Sequence, residues 1–124
     1  MPNASKHRLK AESNRRFLDT ISCVDYPEWV VVVAFYTAVH LVERLRAASG
    51  DGDSTSHEER LDYVQHVHPQ IHTSYFQLQN ASMLARYQSR SDFFNQFQPE
   101  QVTDLLVGRY LAQIEKYVID RLGS

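Results

Sequence analysis

The residues of this 124-residue chain that could do chemistry are its histidines, arginines and tyrosines, and their spacing is uneven. His57 and Arg60 lie three apart, so on a helix they project from one face. Arg60 and His66 are separated by five residues. Arg86 and Tyr87 stand one helical turn beyond Ser82, and His40 interrupts the most apolar run of the chain, Trp29 to Leu45. A neutral histidine and an arginine in one cleft suit metal-free RNA cleavage. The imidazole moves the 2′-hydroxyl proton and the guanidinium stabilises charge on the phosphate. Each residue also has a plain structural role open to it. His40 could be a core histidine bonded to Tyr75 or Tyr36. Arg60 could pair with Glu58, Glu59 or Asp62, and Arg86 could answer the dipole at a helix C-terminus.

Other chemistries lack their signatures. His68 and His72 have the i, i+4 spacing at which two imidazoles share a metal, with His66 and His57 nearby. No HExxH or carboxylate pattern accompanies them, so the stretch reads as a solvent-exposed, histidine-rich turn, and no metal or cofactor is expected. Ser82 beside Ala81 and Met83 reads as helix packing, because no GxSxG-like turn exists. The four glycines are scattered and build no phosphate-binding loop.

These residues need elements to position them. Trp29 to Leu45 contains four consecutive valines, which favour strand by propensity. The run is longer than a strand, however, and Asp25-Tyr26-Pro27-Glu28 resembles a helix start, with Asp25 as N-cap and proline in the first turn. The spacing therefore predicts a buried central helix from about Pro27 to Ser49. Trp29, Val33, Tyr36, His40 and Glu43 share one of its stripes. At this length it falls short of the about 20 apolar residues of a membrane span. A first helix is expected over Ser5 to Ser22, burying Leu9, Phe17, Leu18 and Ile21. Gly50 to Thr55 is a loop. Ser56-His57-Glu58-Glu59 is a capping box that opens a third helix, with Leu61, Val64 and Val67 inward. His68-Pro69 breaks it, and a fourth helix follows from about Gln70 to Gln88, with Ile71, Tyr75, Leu78, Ser82 and Ala85 in its stripe. Ser89 to Gln98 reads as a loop over the core, or a short helical turn. The last helix starts at Gln98-Pro99-Glu100 and ends near Leu122. Its apolar face is Val102, Leu105, Leu106, Tyr110, Ile114, Tyr117 and Val118.

The sum is an all-α fold of five helices: an antiparallel up-and-down four-helix bundle with one additional helix. One domain, 1–124, is expected, with its core over about 12–122. A net charge of −2 leaves no overall electrostatic footprint for nucleic acid, although Lys6, Arg8, Lys10, Arg15 and Arg16 make the N-terminal end basic. The single cysteine, Cys23, excludes an internal disulfide. That suits a reducing compartment, and with a polar N-terminus a cytoplasmic protein without a membrane segment is expected.

The order of these segments carries a resemblance. An amphipathic first helix, then PEWVVVVAFYTAVHLVE, then SHEER, then YFQLQNASMLARY, together resemble the HEPN superfamily, the small all-helical domain named from higher eukaryotes and prokaryotes nucleotide-binding. The closest likeness is to small bacterial members with a YxxLxxxSxxARY segment, here Tyr75, Leu78, Ser82, Ala85, Arg86 and Tyr87. The resemblance implies a HEPN-like bundle, usually homodimeric. It also implies one of two activities: a metal-independent endoribonuclease of toxin–antitoxin or defence systems, or an inactive member that binds RNA, a nucleotide or a protein such as an antitoxin. Active members carry an RxxxxH-type motif, and Arg60 to His66 has that spacing. Here it stands early in the chain with Leu61 after the arginine, whereas the family motif comes late with a polar residue there. The expectation is therefore a binding bundle without an intact motif. A ribonuclease using Arg60, His66 and His57, or a structural subunit of a larger complex, is the alternative. His40, Tyr75, Arg86 and Tyr87 are the expected binding residues.

Overall fold

The computed structural model of the chain describes residues 4–124, and every regular element among them is helical. Residues 1–3 of the expected 1–124 domain lie outside the described residues. In order the elements are α1 (Ala4–Leu18), α2 (Pro27–Ala48), α3 (His57–Val67), a 3₁₀ turn (Pro69–Ile71), α4 (His72–Tyr87), α5 (Arg90–Gln96), α6 (Pro99–Gln101), a π-helix (Val102–Leu111) and α7 (Ala112–Leu122). No helix among the described residues is long and apolar enough to cross a membrane.

The centre is α2, which packs against α1, α4, the π-helix and α7. Val31, Ala34, Phe35, Ala38 and Val42 are fully buried along it. A helix that is apolar nearly all round hides which face is innermost, and the outer face is the one that departs from expectation. Trp29 is 60% exposed. Asp25 does not cap the helix: Tyr26 is the N-cap residue and offers no side-chain bond, while Pro27 fills the first turn.

Helix α1 ends four residues earlier than the expected Ser22, and Leu9 and Phe17 are exposed rather than buried. Leu18 is buried as expected and Ile21 packs against the core, while Ala11, two turns before Leu18 on one face, lies on α2 where Leu9 and Phe17 do not. At α3 the Ser56 hydroxyl accepts the Glu59 amide at 3.0 Å, as the capping box requires. Glu59 reaches one residue further back than expected, to the Thr55 hydroxyl at 2.5 Å. Val67 is exposed. His68 is not an exposed turn residue: it is buried, with Nδ1 2.7 Å from the Tyr117 hydroxyl and Nε2 3.3 Å from that of Tyr63. The segment after α4 is the helix α5, capped by the Ser89 hydroxyl on the Asp92 amide, and it buries Phe93.

The C-terminal rod departs in register. An α-helical stripe would run Leu106, Tyr110, Ile114. The buried residues are Val102, Leu106, Leu111, Ile114 and Val118. The step of five from Leu106 to Leu111 is the π winding, whose hydrogen bonds run i→i+5. Within it the Thr103 carbonyl oxygen lies 3.1 Å from where a Cβ on Gly108 would stand, so glycine suits that close approach.

Candidate functional site

Three side chains from the middle of α2 onward organise the polar cluster of the molecule. Tyr36, His40 and Glu43 fall at i, i+4 and i+7, one above another on one face. Glu43 is only 3% exposed. A carboxylate taken this far from water needs partners. It has two: Arg60 Nε on α3, at 2.7 Å from Oε1, and the Ser54 amide, at 3.1 Å from Oε2. Arg60 is itself buried. Burial opposes its charge, but the Glu43 carboxylate on Nε favours the protonated form, and the guanidinium stays charged.

The second arm of the guanidinium fixes His57. Arg60 Nη1 lies 2.8 Å from His57 Nδ1. Arginine only donates, so Nδ1 accepts and the imidazole proton sits on Nε2. Burial first, then the charges of Arg60 and Arg86, lower the His57 pKa and keep the ring neutral. His57 is thereby a hydrogen-bond donor, not a base. Its ring packs against Phe35, with centroids 5.3 Å apart, and against Tyr36 at 6.4 Å. The Tyr36 hydroxyl accepts from Arg86 Nη1 at 3.2 Å, so Tyr36 joins α2 to the end of α4. Under the cluster lies Tyr75, fully buried. Burial pushes its pKa up to about 12, and among the described residues its hydroxyl makes no hydrogen bond of regular geometry.

On the other side of Tyr36 stands His40, half-buried. It is bonded to neither Tyr75 nor Tyr36, as had been expected of a core histidine. Its Nδ1 is 3.0 Å from Nδ1 of His7 on α1, and the two rings stack with centroids 5.3 Å apart. His7 Nε2 is in turn 2.9 Å from Asp53 Oδ1. Burial, then His7, Lys10 and Arg60, lower the His40 pKa. A cavity of about 310 Å³ opens beside it, lined by Lys10, Asn14, Phe17, Val32, Val33, Tyr36 and His40. Asp53 reaches His7 because α2 fastens the 49–56 loop: Arg46 donates to the Gly52 carbonyl at 2.5 Å and to Glu59 at 2.9 Å, while Glu43 holds the Ser54 amide.

The expected residues divide accordingly. His57, Arg60 and Arg86 come together around Tyr36 with Tyr75 beneath them, while His40 turns to His7 on the other side of Tyr36. His66 does not join them. It is exposed near the end of α3, with Nδ1 2.8 Å from the Asp62 carbonyl, while Arg60 is buried on the helix's other side. Arg60 pairs with Glu43, not with Glu58, Glu59 or Asp62. Tyr87 is 77% exposed and serves as a platform for Arg86, whose guanidinium carbon lies 5.3 Å from its ring centroid. His72 stacks on Phe76 and stays apart from His68. His7, Glu43, Asp53 and Lys10 were not singled out from sequence. Glu43 had a signal, an acid on the His40 stripe; the other three reach the cluster only through long-range packing. No protein-family model matches this chain, and no curated protein or solved structure is detectably similar to it.

A second cavity, of about 300 Å³, lies between α1, α2 and α7; its arginines Arg8, Arg15, Arg16 and Arg44 share the lining with Glu12 and Glu115, which pair with Arg8 and Arg15. Arg44 donates to the carbonyls of Leu122 at 3.4 Å and Gly123 at 2.9 Å, the end of α7 where a helix carries its partial negative charge.

Proposed function

We propose that the chain is a HEPN-like antiparallel bundle of four helices with added short segments, forming a cytoplasmic homodimer that binds RNA or a nucleotide in a toxin–antitoxin or defence setting. The order of sequence segments and the all-helical architecture support the fold. One observation carries the binding role: Glu43 holds Arg60, and Arg60 fixes His57 as a neutral donor beside the Arg86 charge. A fixed N–H next to a guanidinium and two tyrosine rings suits a phosphate with an adjoining base, which stacks on aromatic faces. With Arg60 committed to the interior and His66 in solvent, the spaced Arg–His motif is not the working pair.

The test is fluorescence anisotropy of a labelled single-stranded RNA at two salt concentrations. Arg86→Ala and His57→Ala should each weaken binding at least about tenfold, from the loss of one charge-assisted contact of about 1.5–3 kcal/mol. Undiminished binding in both variants, or none by the wild type, would overturn the assignment. Binding of a protein partner in place of RNA would leave the bundle intact and move the role to an antitoxin-like complex.

A metal-independent endoribonuclease is the second reading, favoured by the Asp53–His7–His40 chain. When His7 Nε2–H donates to Asp53, His7 Nδ1 accepts from His40 Nδ1–H, and His40 Nε2 keeps a lone pair. As a base it would take the 2′-hydroxyl proton. The oxygen would attack phosphorus, and the 5′-oxygen would leave with a proton from water, giving a 2′,3′-cyclic phosphate. Cleavage in EDTA that His40→Ala abolishes and His66→Ala spares is the expected result; cleavage lost in His66→Ala alone would restore the spaced motif.

A further inference from the structure

The loop after α2 brings Asp53 against His7 and Glu43, and each of the three offers a ligand atom within 4.8 Å of the others. We infer that His7, Glu43 and Asp53 bind one divalent transition-metal ion, with His40 as the outer residue that orients His7. Four observations converge on it. His7 Nε2 and Asp53 Oδ1 are 2.9 Å apart. Neighbouring ligands on an octahedral ion with bonds of about 2.1 Å stand about 3 Å from each other, so the pair is already spaced to share one. His7 Nδ1 is engaged by His40, which leaves Nε2 for Asp53, with a Glu43 oxygen within 4.8 Å. A metal-bound histidine nearly always has its other ring nitrogen held in this way. Glu43 Oε1 and Oε2 each accept one hydrogen bond, from Arg60 and Ser54, and each oxygen retains a second lone pair. The ligands come from three separate stretches, α1, α2 and the following loop, and the contacts of Arg46 with Gly52 and Glu59 hold that loop in place.

The donor set selects the ion. One imidazole and two carboxylates without thiolate suit Zn²⁺, Mn²⁺, Co²⁺ or Ni²⁺, and three protein ligands leave positions for water. The Arg60 charge on Glu43 tempers the affinity. Binding also reorders protons along the chain. A metal at His7 Nε2 puts the ring proton on Nδ1, which donates to His40 Nδ1 and moves the His40 proton to Nε2. His40 changes from acceptor to donor toward its cavity. This consequence, unlike the site itself, would bear on the ribonuclease chemistry above.

Calorimetric titration of the metal-free protein with Zn²⁺, and the visible spectrum on adding Co²⁺, test the site without RNA. One ion per chain is expected. Asp53→Asn and His7→Ala should weaken Zn²⁺ at least tenfold, and His40→Gln by about 10–100-fold, the usual effect of an outer-shell change. His66→Ala should leave binding unchanged. Asp53 is exposed, so its variant keeps the fold and remains informative where others destabilise it. Absence of stoichiometric binding, affinity unaltered in both Asp53→Asn and His7→Ala, or loss of binding in His66→Ala would overturn the site. Nitrogen NMR of the His40 ring reads the proton shift, and an unchanged His40 signal on saturation with Zn²⁺ would refute the outer-residue role.

Discussion

Glu43 and Arg60 form a buried ion pair, 2.7 Å between Oε1 and Nε, that joins the central helix to the start of α3. The side chains keep 4% and 10% of their exposure, so neither charge has bulk water to fall back on. Removing one partner leaves the other uncompensated, at about 3–5 kcal/mol. Arg60→Met and Glu43→Leu should therefore each lower the urea midpoint strongly. The double variant should recover much of the loss, because a well-packed apolar pair can replace a buried ion pair. Additive losses in the double-mutant cycle would contradict the coupling.

His57 and His68, together with His40, whose pKa is also lowered, contribute to the acid side of stability. Burial lowers all three pKa values, helped by Arg60 and Arg86 at His57, by Arg121 at His68 and by His7, Lys10 and Arg60 at His40. Tyr63 and Tyr117 are the other groups that face His68. In the unfolded chain each titrates near about 6.5. Below that pH the unfolded state binds protons that the folded state refuses, so stability falls as pH drops. Above it the two states bind equally and these residues impose no slope. Urea midpoints should be flat from these groups above pH about 7 and decline between about 6.5 and 5. His68→Gln should flatten part of that decline, and a decline of undiminished slope would assign it elsewhere.

How much of this was visible in the sequence depends on distance along the chain. The capping at Ser56, the boundary at Pro69 and the valine-rich central helix come from local chemistry, and the structure has them. His57 and Arg60 were legible as a pair because i, i+3 spacing is local too. Their anchor was not, since Glu43 is 17 residues from Arg60. His7 meets His40 across 33 residues and Asp53 across 46, and periodicity carries no information on such contacts. Of the stripe expected on the first helix, Leu18 and Ile21 hold but Leu9 and Phe17 fail, because small Ala11 faces the neighbouring helix in their place.

Tyr117 completes the polar interior around His68. Its hydroxyl lies 2.7 Å from Nδ1, and the rings meet edge-on with centroids 5.5 Å apart. Tyr117→Phe keeps the ring and deletes the hydroxyl, leaving His68 Nδ1 without its closest partner. A buried polar group so orphaned costs about 1–3 kcal/mol. Chemical denaturation should show that loss in Tyr117→Phe and little in Tyr110→Phe. Equal effects would argue against a specific His68–Tyr117 bond.

The π winding of the C-terminal rod makes the sharpest register prediction. An α-helix would place Tyr110 over Leu106 and turn Leu111 partly outward. The i+5 step instead buries Leu111 completely and leaves Tyr110 only half-buried. Leu111→Ala should then cost about 2–5 kcal/mol, as for a buried leucine whose cavity cannot collapse. Tyr110→Ala should cost clearly less, since its ring already meets water and stacks near Arg109 at 5.8 Å. The order of the two losses decides the winding, because both residues are large and adjacent and only the register separates them. A greater loss at Tyr110 than at Leu111 would mean that the rod is wound as an ordinary α-helix in solution.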